Sequence, residues 1–244
     1  GFNSSLLSAI GADNDGDQLI EQIKIRGIDT EHIYRAKSFP TDKYMAVEGS
    51  NGLIGAIADT HTLERCEKYI LSPLKNGKLY KLNEPWAGII VLDGNLTENL
   101  LNKINSDPLF RNVDLRIAPA SPGKAARLRT CLNGNVRTVY MNLEEANLIV
   151  NQNFNESCSA AIALLNAGFK RAVVTNGGNK VTVAEKDSQI TITPPNVDVV
   201  RVTGAGDVFM ASHIQAELIG KQKETAINFA LNQTAKYISG SEKL

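Results

Sequence analysis

Val199-Val200-Arg201-Val202-Thr203-Gly204-Ala205-Gly206-Asp207-Val208-Phe209 is the stretch that decides the reading of this chain. A β-branched, extended run gives way to small residues, and these open an apolar helix. A helix start leaves four backbone N–H groups without intrahelical partners and carries the positive end of the helix dipole. Glycines at 204 and 206 leave those amides uncovered, so a phosphate oxygen can approach the backbone closely. Asp207 in the first turn brings a carboxylate to the same place. A carboxylate beside an anion hole suits a reaction in which a hydroxyl loses its proton while attacking a phosphoryl group. The plain alternative is a tight glycine turn with a favourable first-turn acid.

Two better-known glycine motifs fail here. A dinucleotide fingerprint needs G-x-G-x-x-G, and its last position is Phe209, in a segment that lies near the C-terminus rather than after the first strand. A P-loop needs G-x-x-x-x-G-K-[ST], whereas Gly123-Lys124 is followed by Ala125 and has Ala118 at the first glycine position.

Working outward, short β-branched runs alternate with stretches whose apolar residues fall three or four apart, the pattern of a layered α/β fold. A helix is expected from near Asp15 with Leu19, Ile20 and Ile23 on one face and Gly27 as its stop. Lys43 to Glu48 and Leu53 to Ala58 flank Gly49-Ser50-Asn51-Gly52 and read as an appended hairpin. Strands follow at Trp86 to Asp93, Leu115 to Ala118, Arg137 to Met141 and Arg171 to Thr175, separated by enough chain for crossover helices and so paired in parallel. Val181 to Glu185 and Gln189 to Thr193 read as an antiparallel hairpin at one sheet edge. Two helices close the chain, from about Gly204 to Ile219 and from about Glu224 to Ile238.

The 244 residues are 43% apolar and 21% charged, with 19 Gly and 8 Pro, which excludes disordered and collagen-like classes. Lys plus Arg and Asp plus Glu both number 26, so the broad positive field expected of a nucleic-acid or acidic-membrane binder is missing. Apolar runs such as Ala87 to Leu92 are far short of the roughly 20 residues of a membrane span, and a soluble, cytoplasmic protein is expected. Cys66, Cys131 and Cys158 are too scattered for a zinc site or disulfide framework and read as reduced, mostly buried thiols. His32, His61 and His213 share no metal-like spacing and read as surface or helix histidines. Gly1-Phe2-Asn3 runs at once into an apolar segment, so the chain is expected to begin within the fold.

Thr203-Gly204-Ala205-Gly206-Asp207 resembles the C-terminal signature of the ribokinase-like (PfkB) sugar and nucleoside kinases. Other landmarks occur in that family's order over nearly the whole chain. They are Leu6 to Gly16, Gly27-Ile28-Asp29, Asn142-Leu143-Glu144-Glu145 and Thr175-Asn176-Gly177-Gly178, while Thr41 to Val47 with Ala56 to Thr60 resembles the lid strands of its pseudouridine kinase branch. Leu92-Asp93-Gly94-Asn95-Leu96 and Val202-Thr203 resemble the pseudouridine kinase branch.

The resemblance implies an α/β/α layered fold with a mostly parallel sheet, a kinase core of residues 1–33 and 61–244 and a β lid of 34–60. The family's first strand and its substrate-contacting segment are expected to be missing. It implies ATP and Mg²⁺, with transfer to the 5′-hydroxyl of a ribosyl acceptor. Pseudouridine is the first choice; ribose, fructose or a purine nucleoside are the alternatives, and a nucleoside-binding relative without catalysis is the rival from another class.

Carried over residue by residue, Asp207 is the catalytic base, and Gly204, Ala205 and Gly206 offer amides to the migrating phosphoryl group. Thr175, Gly177, Gly178, Thr203 and Asn232 lie along ATP; Asn142 and Glu145 hold Mg²⁺ through water, with helix capping as the alternative. Thr41, Asp59 and Asn95 face the acceptor, Asp59 having a turn role as its alternative. The lid's strands could pair between two copies of the chain.

Overall fold

The computed structural model describes residues 2–49, 52–75 and 87–241, so Ser50, Asn51 and Trp86 of the expected elements lie outside it. Strand β1 (Ala9–Gly11) leads into helix α1 (Asn14–Ile25), capped by Asp13, whose carboxylate accepts from the Gly16 N–H at 2.9 Å. Strand β2 (Tyr34–Ala36) pairs in parallel with β1, so residues 34–36, assigned to the lid on sequence, belong with the first strand. Strands β3 (Tyr44–Gly49) and β4 (Gly52–Ala58) form a separate antiparallel ribbon with Tyr44 opposite Ala58. Tyr44, Met45, Val47, Ile54 and Ile57 are all exposed on it. Three short helices follow, α2 (His61–Arg65), α3 (Glu67–Ile70) and α4 (Ser72–Lys75).

The remainder builds the main sheet. Its elements are β5 (Ile89–Asp93), α5 (Glu98–Ser106), β6 (Asp114–Ala118), α6 (Pro122–Ala125), β7 (Val136–Asn142), α7 (Leu143–Val150), α8 (Ser157–Ala167), β8 (Arg171–Thr175), β9 (Val181–Glu185), β10 (Ser188–Ile192), α9 (Ala205–Leu218) and α10 (Lys223–Ile238). The spatial order is β10-β9-β8-β7-β6-β5, with β5 to β8 parallel and β9 and β10 antiparallel, as the sequence predicts.

Strand residues alternate between two apolar layers. On one face Ala172, Val174 and Ala184 meet Leu101, Ile104, Leu128 and Leu164. On the other, Val173, Val181 and Val183 meet Phe209, Met210, Ile227 and Leu231 of α9 and α10. Helices therefore cover both faces of the sheet, the layered α/β/α arrangement expected.

Helix α1 departs from its reading. Leu19 is 42% exposed, Ile20 and Ile23 are only half-buried, and Gly16 is the helix's one buried residue. This helix is anchored through its start instead. Asp13 accepts from the Thr41 N–H at 2.8 Å and from its hydroxyl at 2.5 Å, bonds that pull the Asp13 carboxyl down to about 2. A Cβ on Gly11 would lie 2.3 Å from the Thr41 nitrogen, so this approach requires glycine. Cys66 and Cys131 are buried, Cys158 is half-buried, and all three are free thiols, as expected.

His213 lies on α9 and is fully buried, stacked on Phe209 with its Nδ1 2.9 Å from the Tyr140 hydroxyl. Its Nε2 has no hydrogen-bond partner, so a second ring proton would be buried without an acceptor. Burial accordingly lowers its pKa to about 4, against 6.5 ordinarily. The unfolded chain binds the extra proton between those values, so stability is complete above pH 6.5 and declines as the pH falls toward 4. The expected loss from this group is about 2 kcal/mol between pH 6.5 and 5. His213→Phe keeps the stack, while Arg116 still donates to Tyr140 at 3.2 Å, and should flatten that slope. Thermal midpoints of both proteins at pH 7, 6 and 5 check this; parallel slopes would contradict it.

Candidate active site

Parallel strands aligned in register bring their C-terminal ends to one edge, where ligands bind in open α/β sheets. Asp93 pairs with Ala118 across β5 and β6, and Asn142 with Thr175 across β7 and β8. The start of α9 joins this edge: Asp93 is close enough to Asp207, and Asp207 to Glu145, to raise the partner's pKa.

Gly204 caps α9 with φ +85°, a left-handed conformation that favours glycine. A Cβ there would also lie 2.8 Å from the Tyr237 hydroxyl, which donates to the Thr203 carbonyl at 2.8 Å. The Ala205 N–H is used by the Val202 carbonyl at 3.1 Å, whereas the Gly206 and Asp207 N–H groups meet no acceptor among the described residues. No side chain caps the helix, and the space beyond Gly206 is open. An anion can therefore reach two unpartnered amides at the positive end of a 14-residue helix.

Although the Asp207 side chain reaches solvent, surrounding protein and then the Asp93 charge raise its pKa above the ordinary carboxylate value. That favours a better proton acceptor than a helix-terminal acid alone would be. Asn142 and Glu145 form a complete capping box on α7. Asn142 Oδ1 accepts from the Glu145 N–H, and Glu145 Oε2 from the Asn142 N–H, both at 2.9 Å. Burial pushes the Glu145 carboxyl up to about 7; the Asn142 N–H opposes this, and Glu144 and Asp207 add to it.

Asp93 and Asp207, joined by Glu145 once it is ionised above about pH 7, place carboxylates at one edge, which suits a cation. Among the described residues no three His, Cys, Asp or Glu side chains are grouped closely enough to hold a metal ion directly. The donor set fits a hydrated Mg²⁺ contacted through water.

Thr175 ends β8, followed by Gly177 at φ +54° and Gly178 with open space around it. Thr203 is exposed just before α9, and Asn232 is exposed on α10. On the acceptor side the candidates are less alike. Asn95 donates from Nδ2 to Asp93 Oδ2 at 2.9 Å and accepts at Oδ1 from Lys124 Nζ at 2.7 Å. Asp59 accepts from the His61 side chain and backbone, which lowers its pKa, in the manner of a turn residue. Thr41 is buried against Asp13, and its hydroxyl is used there.

Residues 1–240 match the sequence pattern of the pfkB family carbohydrate kinases. The chain belongs to the pfkB family. It is 28% identical over 236 residues to the uncharacterized sugar kinase YeiI of Escherichia coli, covering 95% of this chain and 63% of that protein. It is 26% identical over 235 residues to pseudouridine kinase of the same organism, covering 94% and 72%. The chain thus spans less than two thirds of the length of the first of these relatives. The crystal structure of ribokinase from Thermotoga maritima superposes with a TM-score of 0.77 at 20% identity over 96% of this chain and 74% of that one, which establishes the ribokinase-like fold.

Two functional candidates in this pfkB chain escape sequence reading. Asp93 lies within the Leu92 to Leu96 motif, but its electrostatic effect on Asp207 comes from tertiary packing that no local pattern encodes. Lys124 falls in a sequence that fails the P-loop pattern, and its contacts with Asn95 and Thr60 are set by tertiary packing.

Proposed function

We propose that this chain transfers the γ-phosphate of ATP to the 5′-hydroxyl of pseudouridine. Asp207 carries the reading: a carboxylate of raised pKa beside two open amides at a helix N-terminus. Its carboxylate takes the hydroxyl proton as the oxygen attacks the γ-phosphorus; the bond from that phosphorus to the β-phosphate oxygen breaks, and ADP leaves. The Gly206 and Asp207 N–H groups receive phosphoryl oxygens, with Gly204 and Ala205 shaping the turn that exposes them. Mg²⁺, held through water by Asn142 and Glu145 with Asp93 nearby, would neutralise phosphate charge. Thr175, Gly177, Gly178, Thr203 and Asn232 are assigned to ATP. Asp59 and Asn95 remain on the acceptor side, and Thr41 positions the start of α1 through Asp13.

The likeness to pseudouridine kinase and the Asp93-Gly94-Asn95-Leu96 motif support the acceptor. The likeness to a sugar kinase makes a free sugar the second reading. A panel of pseudouridine, uridine, ribose and fructose with Mg-ATP, read by ADP release, tests both. Pseudouridine is expected to turn over fastest; equal or faster turnover of a free sugar would replace it, and no turnover of any acceptor would remove the activity.

A further inference from the structure

Lys124 on α6 reaches across two separate parts of the chain. Its Nζ donates to Asn95 Oδ1 at 2.7 Å, in the turn after β5, and to Thr60 Oγ1 at 3.1 Å, where the β3–β4 ribbon returns to α2. Both acceptors are neutral. Neighbouring Arg127 has Glu64 as an ion-pair partner at 2.9 Å, whereas half-buried Lys124 has no carboxylate within ion-pair distance among the described residues. Holding an ammonium partly out of water without a counter-charge is unfavourable, and a group with three N–H donors has used only two.

Asn95 is fixed at both ends by the same arrangement. Only its oxygen can accept from the ammonium, and only its nitrogen can give to Asp93, so the amide has one orientation and a second Nδ2 hydrogen left over. Asp93 ends β5 at the C-terminal edge of the parallel strands, so these donors sit at the edge assigned to the transfer site.

We propose that Lys124 determines acceptor specificity: its remaining N–H and that of Asn95 together bind a carbonyl oxygen of the acceptor's base, selecting a nucleoside that carries one over a free sugar. This rests on the pseudouridine reading above. The N–H groups still available on Lys124 and Asn95 are donors, Lys124 has no acceptor atom, and Asn95 Oδ1 already accepts from Lys124 Nζ. Two converging donors satisfy both lone pairs of a carbonyl oxygen, which needs no acceptor in return, whereas a sugar hydroxyl also has a proton to place.

Steady-state kinetics and direct binding of pseudouridine and ribose to the wild type, Lys124→Met and Lys124→Gln test the assignment. A lost charge-assisted hydrogen bond predicts that Lys124→Met raises KM and Kd for pseudouridine about 10- to 100-fold, with a smaller change in kcat. The loss in kcat/KM on ribose should be at least about 10-fold smaller than on pseudouridine. Lys124→Gln keeps a hydrogen-bonding bridge without the charge and is expected to show the same split, so the test survives if the methionine variant does not fold. Equal losses on both acceptors, or none on either, would overturn the role of Lys124 while leaving the kinase reading standing. A wild type that phosphorylates ribose but no nucleoside would overturn both.

Discussion

Asp207→Asn is expected to slow phosphoryl transfer by roughly 10²- to 10⁴-fold while ATP still binds. Asparagine keeps the volume and shape of the side chain but cannot take the hydroxyl proton. The position favours a clean result, because Asp207 reaches solvent and its ionised form is already disfavoured by surrounding protein and by Asp93. Removing the charge therefore relieves repulsion from Asp93 and from an incoming phosphate, so ATP affinity should hold or improve. Against this stands only the favourable pairing of a first-turn acid with the helix dipole, about 0.3 to 1 kcal/mol. Turnover, ATP affinity and thermal midpoint measured on one preparation separate the effects. Wild-type turnover with a lowered midpoint would leave Asp207 as a helix-terminal acid and withdraw the mechanism. The same raised pKa predicts that the acid limb of the wild-type rate profile lies above the range of an ordinary aspartate.

Legibility in the sequence followed the range of the interactions involved. The start of α9 could be read because Gly204, Gly206 and Asp207 act within one turn, and a left-handed glycine before a helix leaves a local trace. Parallel pairing of β5 to β8 was legible because only crossover-length segments separate the strands. Asn142 and Glu145 are legible twice over, since N-x-x-E is both a metal-site pattern and a capping box, and the capping geometry is satisfied atom by atom. Periodicity misled at α1, where Leu19 recurs at helical spacing but meets solvent, because spacing reports which residues share a face and not what covers it. Lys124, 29 residues from Asn95 and 64 from Thr60, owes its place to tertiary packing alone.

The longest-range interaction of this kind carries the largest expected effect on stability. Glu217, in the last turn of α9, accepts from Arg171 of β8 at 2.6 Å through Oε1 and from Arg116 of β6 through Oε2. Arg116 also donates to Asp114 at 2.6 Å, and Arg171 has Glu185 beside it at 3.1 Å. The arginine side chains are only 6% and 11% exposed, so they depend on these acceptors in place of water. Burial alone would raise the Glu217 pKa; the Arg171 hydrogen bond and the nearby positive charges outweigh it and hold it below the ordinary value. Its contribution is therefore present above the unfolded pKa near 4.5 and is lost as the pH falls through the lower folded value. Glu217→Ala leaves two arginines facing each other without their shared acceptor, which should cost about 3 to 5 kcal/mol. For a chain of this size that is a fall of roughly 6 to 20 °C in the thermal midpoint at pH 7. Glu217→Gln keeps an accepting oxygen and should lose clearly less. The consequence reaches the active site because Asp207 stands ten residues earlier on the same helix, about 15 Å away along its axis. A helix released from β6 and β8 at its far end can tilt at its near end, so residual activity of folded Glu217→Ala should fall as well. A midpoint within 2 °C of wild type would show that Asp114 and Glu185 suffice for the two arginines and that Glu217 does not clamp α9.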